Sequence, residues 1–152
     1  MEIPYFDTVV SDFTGSGDLG DNKIKSKGET MQGIIYVAMG GALGASARYM
    51  ISLLPSKTVF PIWTLLTNVI GAFLIGFIVG ILSNGTQNER AALFWKTGVC
   101  GGFTTFSTFS LEALGLWEQG RIGMGSMYIL FSVGLCMIGV ATGKIVAGYF
   151  IS

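Results

Sequence analysis

Gly101-Gly102-Phe103-Thr104-Thr105-Phe106-Ser107-Thr108-Phe109 decides how this chain is read, because it sets a glycine pair and four hydroxyl residues inside a long apolar block. Backbone groups in lipid must find partners within the protein. A Gly-Gly break followed by two threonines is therefore tolerated at membrane depth only where protein or water covers it. Two readings follow. One is a broken helix that builds an ion site, and the other is a packing kink at Gly101-Gly102.

Around that stretch, hydrophobic residues make up 51% of 152 positions and charged residues 12%, too apolar for a soluble domain of ordinary composition. The apolar residues form four blocks, at about 32–54, 61–83, 91–118 and 122–150. Each reaches the ~20 residues needed to cross a hydrocarbon core. The expectation is an all-α, four-helix integral membrane protein with a broken third helix, one domain over residues 31–152. Residues 1–30 carry four Asp and two Glu against Lys23, Lys25 and Lys27 with no sustained period, and are expected to be a disordered extension. They lack the apolar centre of a signal peptide, and Met31, directly before the first block, is a candidate start of the working chain.

Zero formal net charge gives no reason to expect a nucleic-acid partner. The chain has no histidine, the commonest general base and a common metal ligand, so enzymatic chemistry is not expected. Cys100 and Cys136 both fall in expected spans without closely spaced ligand pairs, which indicates neither a disulfide framework nor a metal cluster.

In the first block, Gly40, Gly44 and neighbouring small residues suit close approach to another helix. Arg48 either snorkels to the headgroups or pairs internally. Pro55 and Pro61 bracket a short connection, and the second helix is expected to begin near Trp63. Asn68, inside that helix, either bonds a neighbouring helix or faces a pore, where its amide could donate to an anion without the cost of a buried charge. Phe106 and Phe109, at i and i+3, share one helix face, which usually means packing. Tyr128, Ser132 and Cys136 fall at successive four-residue steps and make a polar stripe. Gly76-x-x-x-Gly80 and Gly139-x-x-x-Gly143 would serve a purely structural membrane protein as dimerisation faces.

Three stretches taken together, Gly40-Gly41-x-x-Gly44-Ala45-x-x-Arg48-Tyr49, Thr67-Asn68-Val69-Ile70-Gly71 and Gly98-x-x-Gly101 through Phe109, closely resemble the fluoride channel family (Fluc, also called CrcB). The resemblance covers the chain from about Met31 to the end. It implies a fluoride-selective channel in the plasma membrane, built as an antiparallel homodimer whose two pores each use residues of both subunits. By motif position Phe106 and Phe109 would be the pore phenylalanines and Asn68 the pore asparagine. A structural sodium ion would be held at the dimer centre by carbonyls at Gly101 and Thr104. The polar track would map onto Tyr128 and Ser132, with Cys136 where a serine is familiar.

Residue chemistry fits that implication. Fluoride is strongly hydrated, so a pore must replace its water with donors and avoid a deep positive well. Asn68, Thr105, Ser107, Thr108, Tyr128 and Ser132 offer neutral donors, and the ring edges of Phe106 and Phe109 carry the positive part of the aromatic quadrupole. A small proton-coupled exporter is the competing reading; it needs an intramembrane carboxylate, for which Glu112 is the candidate. An antiparallel dimer also requires insertion in both orientations. With residues 1–30 set aside, Arg90, Lys96 and Lys144 on one side balance Arg48, Lys57 and Arg121 on the other, which predicts dual topology.

Overall fold

A computed structural model describes residues 27–84 and 88–151 of the chain. By internal contacts the chain forms two units, Met1–Thr30 and Met31–Ser152. Residues 1–26 lie outside the described residues, and with them most of the segment expected to be disordered. The second unit is all-helical. Helix α1 runs Lys27–Ser52 and α2 runs Ile62–Asn84. Helix α3, residues 89–103, is one rod in three pieces: α-helical Glu89–Ala92, π-helical Leu93–Cys100 and α-helical Gly101–Phe103. Helix α4 spans Phe106–Glu118 and α5 spans Ile122–Ile151.

Three of the described helices are long and apolar enough to cross a membrane, over Thr30–Ser52, Ile62–Ser83 and Ile122–Phe150. The third apolar block is not a single span; it is divided between α3 and α4. A multi-pass membrane protein follows from the three continuous spans alone. Much of the outer surface of this unit is apolar, with Ile34, Met39, Leu130 and Met137 among the exposed side chains. Such a surface suits hydrocarbon or a second apolar surface, and not water.

The break falls later than the glycine pair suggested. Gly101 and Gly102 are helical, while Thr104 (φ −79°, ψ 155°) and Thr105 (φ −147°, ψ 111°) are extended. The glycines serve approach instead, since a Cβ on Gly102 would crowd the Gly41 carbonyl of α1, and one on Gly98 would crowd the Gly40 backbone. Glycine costs a helix only about 1 kcal/mol relative to alanine, so it stays helical where it lets two backbones meet.

The same principle corrects the reading of the other small-residue motifs as faces for a second copy. A Cβ on Gly76 would meet the Val140 carbonyl, one on Gly80 the Ala147 side chain, and one on Gly143 the Phe73 carbonyl. Both motifs therefore seat α2 against α5 within one chain. Helices α4 and α5 make a tight hairpin. Gly120, at φ 75°, closes α4, with Arg121 N–H donating to the Leu116 carbonyl and Gly120 N–H to the Trp117 carbonyl, the bond pair of a left-handed helix cap. Leu65, Phe109, Ala113, Leu116 and Tyr128 form a buried cluster where α2, α4 and α5 converge.

Candidate ion-conduction site

The site begins at the opened backbone. A continuous helix would give the Thr105 N–H to the Gly101 carbonyl. Here that N–H donates to Asn68 Oδ1 at 2.8 Å, and Asn68 Nδ2 donates to the Thr105 carbonyl at 3.1 Å. One amide side chain on α2 thus replaces the lost helical partner of the Thr105 N–H and adds a donor to the Thr105 carbonyl, which as the N-cap carbonyl of α4 already accepts the first bond of that helix. Of the two readings of Asn68, the cross-helix bond is the arrangement present, and it leaves the second Nδ2 hydrogen available.

Thr105 also caps α4. Its Oγ1 accepts from the Thr108 N–H at 3.2 Å and donates to Thr108 Oγ1 at 3.0 Å, with Ser107 Oγ 3.3 Å away. A threonine cap of this kind is worth about 1 kcal/mol. Thr104 turns back onto α3, its N–H and hydroxyl both donating to the Cys100 carbonyl at 3.0 Å. Gly101 is exposed, and a Cβ there would meet nothing within 4 Å.

Phe106 and Phe109 sit on the first turn of α4 with ring centroids 5.5 Å apart, yet their surroundings differ. Phe106 is 78% exposed and Phe109 is 8% exposed. Phe109 leads into an aromatic row. Its centroid lies 5.2 Å from that of Tyr128, which meets Phe60 edge-on at 5.5 Å.

Tyr128 is fully buried and its hydroxyl donates to Glu112 Oε2 at 2.8 Å; Thr64 Oγ1 donates to Glu112 Oε1, also at 2.8 Å. Glu112 joins α2, α4 and α5. Sequence reasoning named it as a proton-coupling candidate and did not find its partners. The available signal was its position three residues after Phe109, on the face that carries the buried ring. One turn along α5, Ser132 is 5% exposed and its Oγ has no partner among the described residues. Cys136 lies one further turn along, half-buried and free.

Two cavities flank this assembly. The larger, about 360 Å³, is lined by the 52–62 connection together with Trp63, Thr64, Glu112 and Gln119. The smaller, about 50 Å³, is lined by Arg48, Thr67, Thr105 and Thr108, and shares Ser52, Trp63 and Thr64 with the larger. Arg48 does not reach past the protein in this arrangement; its Nε donates to the Gly102 carbonyl at 3.3 Å. Among the described residues no group of His, Cys, Asp and Glu is arranged to hold a metal ion.

A family model described as CrcB-like protein, Camphor Resistance (CrcB), matches residues 35–144. The chain belongs to the CrcB family. Its relatives include proteins named fluoride-specific ion channel FluC from Ruminiclostridium cellulolyticum, Cereibacter sphaeroides and Rhizobium meliloti. The first is 44% identical over 121 residues, covering 77% of this chain and 93% of the relative. The second is 44% identical over 113 residues, covering 72% and 90%. The third is 44% identical over 117 residues, covering 74% and 94%. The CrcB match takes in the small-residue crossings of α1, Asn68, the break, the phenylalanine pair and the Tyr128–Ser132 stripe.

Proposed function

We propose that this chain is the subunit of a fluoride-specific ion channel that lets fluoride leave the cell passively across the plasma membrane. The carrying observation is the two-sided bond of Asn68 to Thr105, which holds a helix open beside Phe106 and Phe109 in a chain of the CrcB family. External acid drives neutral hydrogen fluoride inward, where it dissociates. A potential negative inside then expels the anion with no coupled energy source.

In this reading the two phenylalanines divide the work. The exposed ring of Phe106 completes a pore only against a second copy, whereas Phe109 presents its edge from within its own chain. Thr105, Ser107 and Thr108 offer hydroxyls at the start of α4, and Asn68 offers its remaining amide hydrogen. Ser132 brings a buried hydroxyl uncommitted among the described residues. Tyr128 lies on the same stripe with its hydrogen on Glu112, so it supports the track by occupying that carboxylate oxygen. Neutral donors replace the water of fluoride without a well deep enough to trap it.

Two copies would lie antiparallel, as the balance of Lys and Arg around the spans allows. At the centre, carbonyls of Gly101 and Thr104 would hold a sodium ion. The donor type fits a hard cation, and the Thr105 N–H that would otherwise cover the Gly101 carbonyl is given to Asn68. The ion would supply charge that ties two opened helices together. Cysteine labelling from each side of the membrane tests the orientation, and a chain found in one orientation only overturns the antiparallel dimer.

Fluoride efflux from liposomes holding the purified chain tests the whole reading. Rapid loss of fluoride with chloride retained is the expected result, and no flux above protein-free liposomes overturns it.

A further inference from the structure

Trp63, in the first turn of α2, carries a donor unused among the described residues where the two cavities share a wall. An indole N–H can only donate, and leaving one buried without an acceptor is costly. Trp63 Nε1 is buried with no partner among the described residues. The residue lines both the cavity that contains Glu112 and the one that contains Arg48, Thr105 and Thr108.

The wall common to the two cavities consists of Ser52, Trp63 and Thr64. Both hydroxyls in it are already committed. Ser52 Oγ donates to the Tyr49 carbonyl at 2.7 Å, and Thr64 Oγ1 donates to Glu112 at 2.8 Å. Thr67, the next hydroxyl along α2, donates to the carbonyl of Trp63 itself at 2.7 Å. That bond ties Thr67 to the tryptophan backbone. Of the three residues in the wall, only Trp63 has a side-chain donor without an acceptor among the described residues.

We infer that the indole N–H of Trp63 donates to fluoride as the ion passes between the Arg48 cavity and the Glu112 cavity. This rests on the fluoride-channel reading above and adds a residue to it. The anion has to give up part of its water at a shared wall, and a neutral N–H returns one donor there without fixing the ion as a second guanidinium would. Fluoride, smaller and more basic than chloride, takes the stronger hydrogen bond from the same donor, so the site contributes to preference as well as passage.

Replacing Trp63 by phenylalanine keeps an aromatic ring and removes the donor. In liposomes holding the full chain, Trp63→Phe is expected to lower fluoride flux per folded protein roughly tenfold, the effect of losing one hydrogen bond to a charged group. In the unaltered protein, the indole ¹⁵N–¹H signal assigned to Trp63 is expected to shift with sodium fluoride and to stay in place with sodium chloride at equal concentration. A signal indifferent to fluoride, or one that moves equally with both salts, overturns the inference and assigns the N–H to water. Unchanged flux in Trp63→Phe overturns it too, while leaving the channel reading intact. If Trp63→Phe does not fold, the indole signal of the unaltered protein decides alone. Absence of flux from the unaltered chain removes the channel reading and this inference together.

Discussion

The α2–α5 crossing and the opened segment between α3 and α4 both place glycine at a close helix contact, and they put it to different ends. At the crossing, Gly76, Gly80, Gly139 and Gly143 bring two continuous helices together. Backbone hydrogen bonding is untouched there, and the gain is dispersion between close-packed atoms. At the opened segment, Gly98 and Gly102 do the same against α1, but two residues later the backbone leaves the helix and Asn68 pairs with the N–H and carbonyl of Thr105. Glycine at a contact is thus no sign of a break. The break is found where a side chain elsewhere stands ready to pair with the released backbone groups.

The comparison is tested most severely at Asn68. In Asn68→Leu the Thr105 N–H loses its partner and the Thr105 carbonyl loses its bond from across the helix contact, at a cost of about 1–3 kcal/mol for the donor left unsatisfied. Fluoride flux is expected to fall to the level of protein-free liposomes. Flux surviving in a folded Asn68→Leu protein would show that the opened segment does not depend on this amide.

Gly143→Val probes the other side. The added side chain runs into the Phe73 backbone of α2, and overpacking of this kind costs about 1–3 kcal/mol. The expected outcome is a lower thermal midpoint and less folded protein, with the flux of each folded channel close to normal. A folded variant with normal stability and no flux would mean that the crossing belongs to the conduction path.

The phenylalanine pair sharpens the contrast inside one helix turn. Phe109→Ala should cost about 3 kcal/mol or more of stability, as for any buried aromatic, as well as flux. Phe106→Ala, at an exposed position, should lower flux several-fold and leave stability of the separate chain within about 0.5 kcal/mol. Equal stability losses in both variants would show that Phe106 is packed as deeply as Phe109 in the working protein.

The smallest effect is expected from the amino-terminal segment. A chain beginning at Met31 should give fluoride flux per protein at least equal to that of the full chain. A large loss on truncation would make residues 1–30 part of the channel.

Helix count and family were legible in the sequence because lipid demands long apolar runs, and because the three motif stretches occur in fixed order along the chain. That the rings of Phe106 and Phe109 lie side by side was legible from their i, i+3 spacing, while the burial of one and the exposure of the other was not. The role of Glu112 was not legible, since a carboxylate six residues before a helix end has no visible partner until Thr64 and Tyr128 are brought to it from other helices. Trp63 marks only the start of a helix in the sequence, and its unpartnered N–H and its position beside both cavities come from the tertiary structure.

By itself the sequence determined that this chain is an all-helical membrane protein of the CrcB type, since hydropathy and local motif order need no partner to be read. Tertiary structure decided which residues open the helix, which glycines face a neighbour in the same chain, and which hydroxyls are already committed. Those properties depend on what lies across a helix contact. Hydrogen bonds such as Asn68 to Thr105, 37 positions apart, are set by helix packing and have no signature in either segment alone.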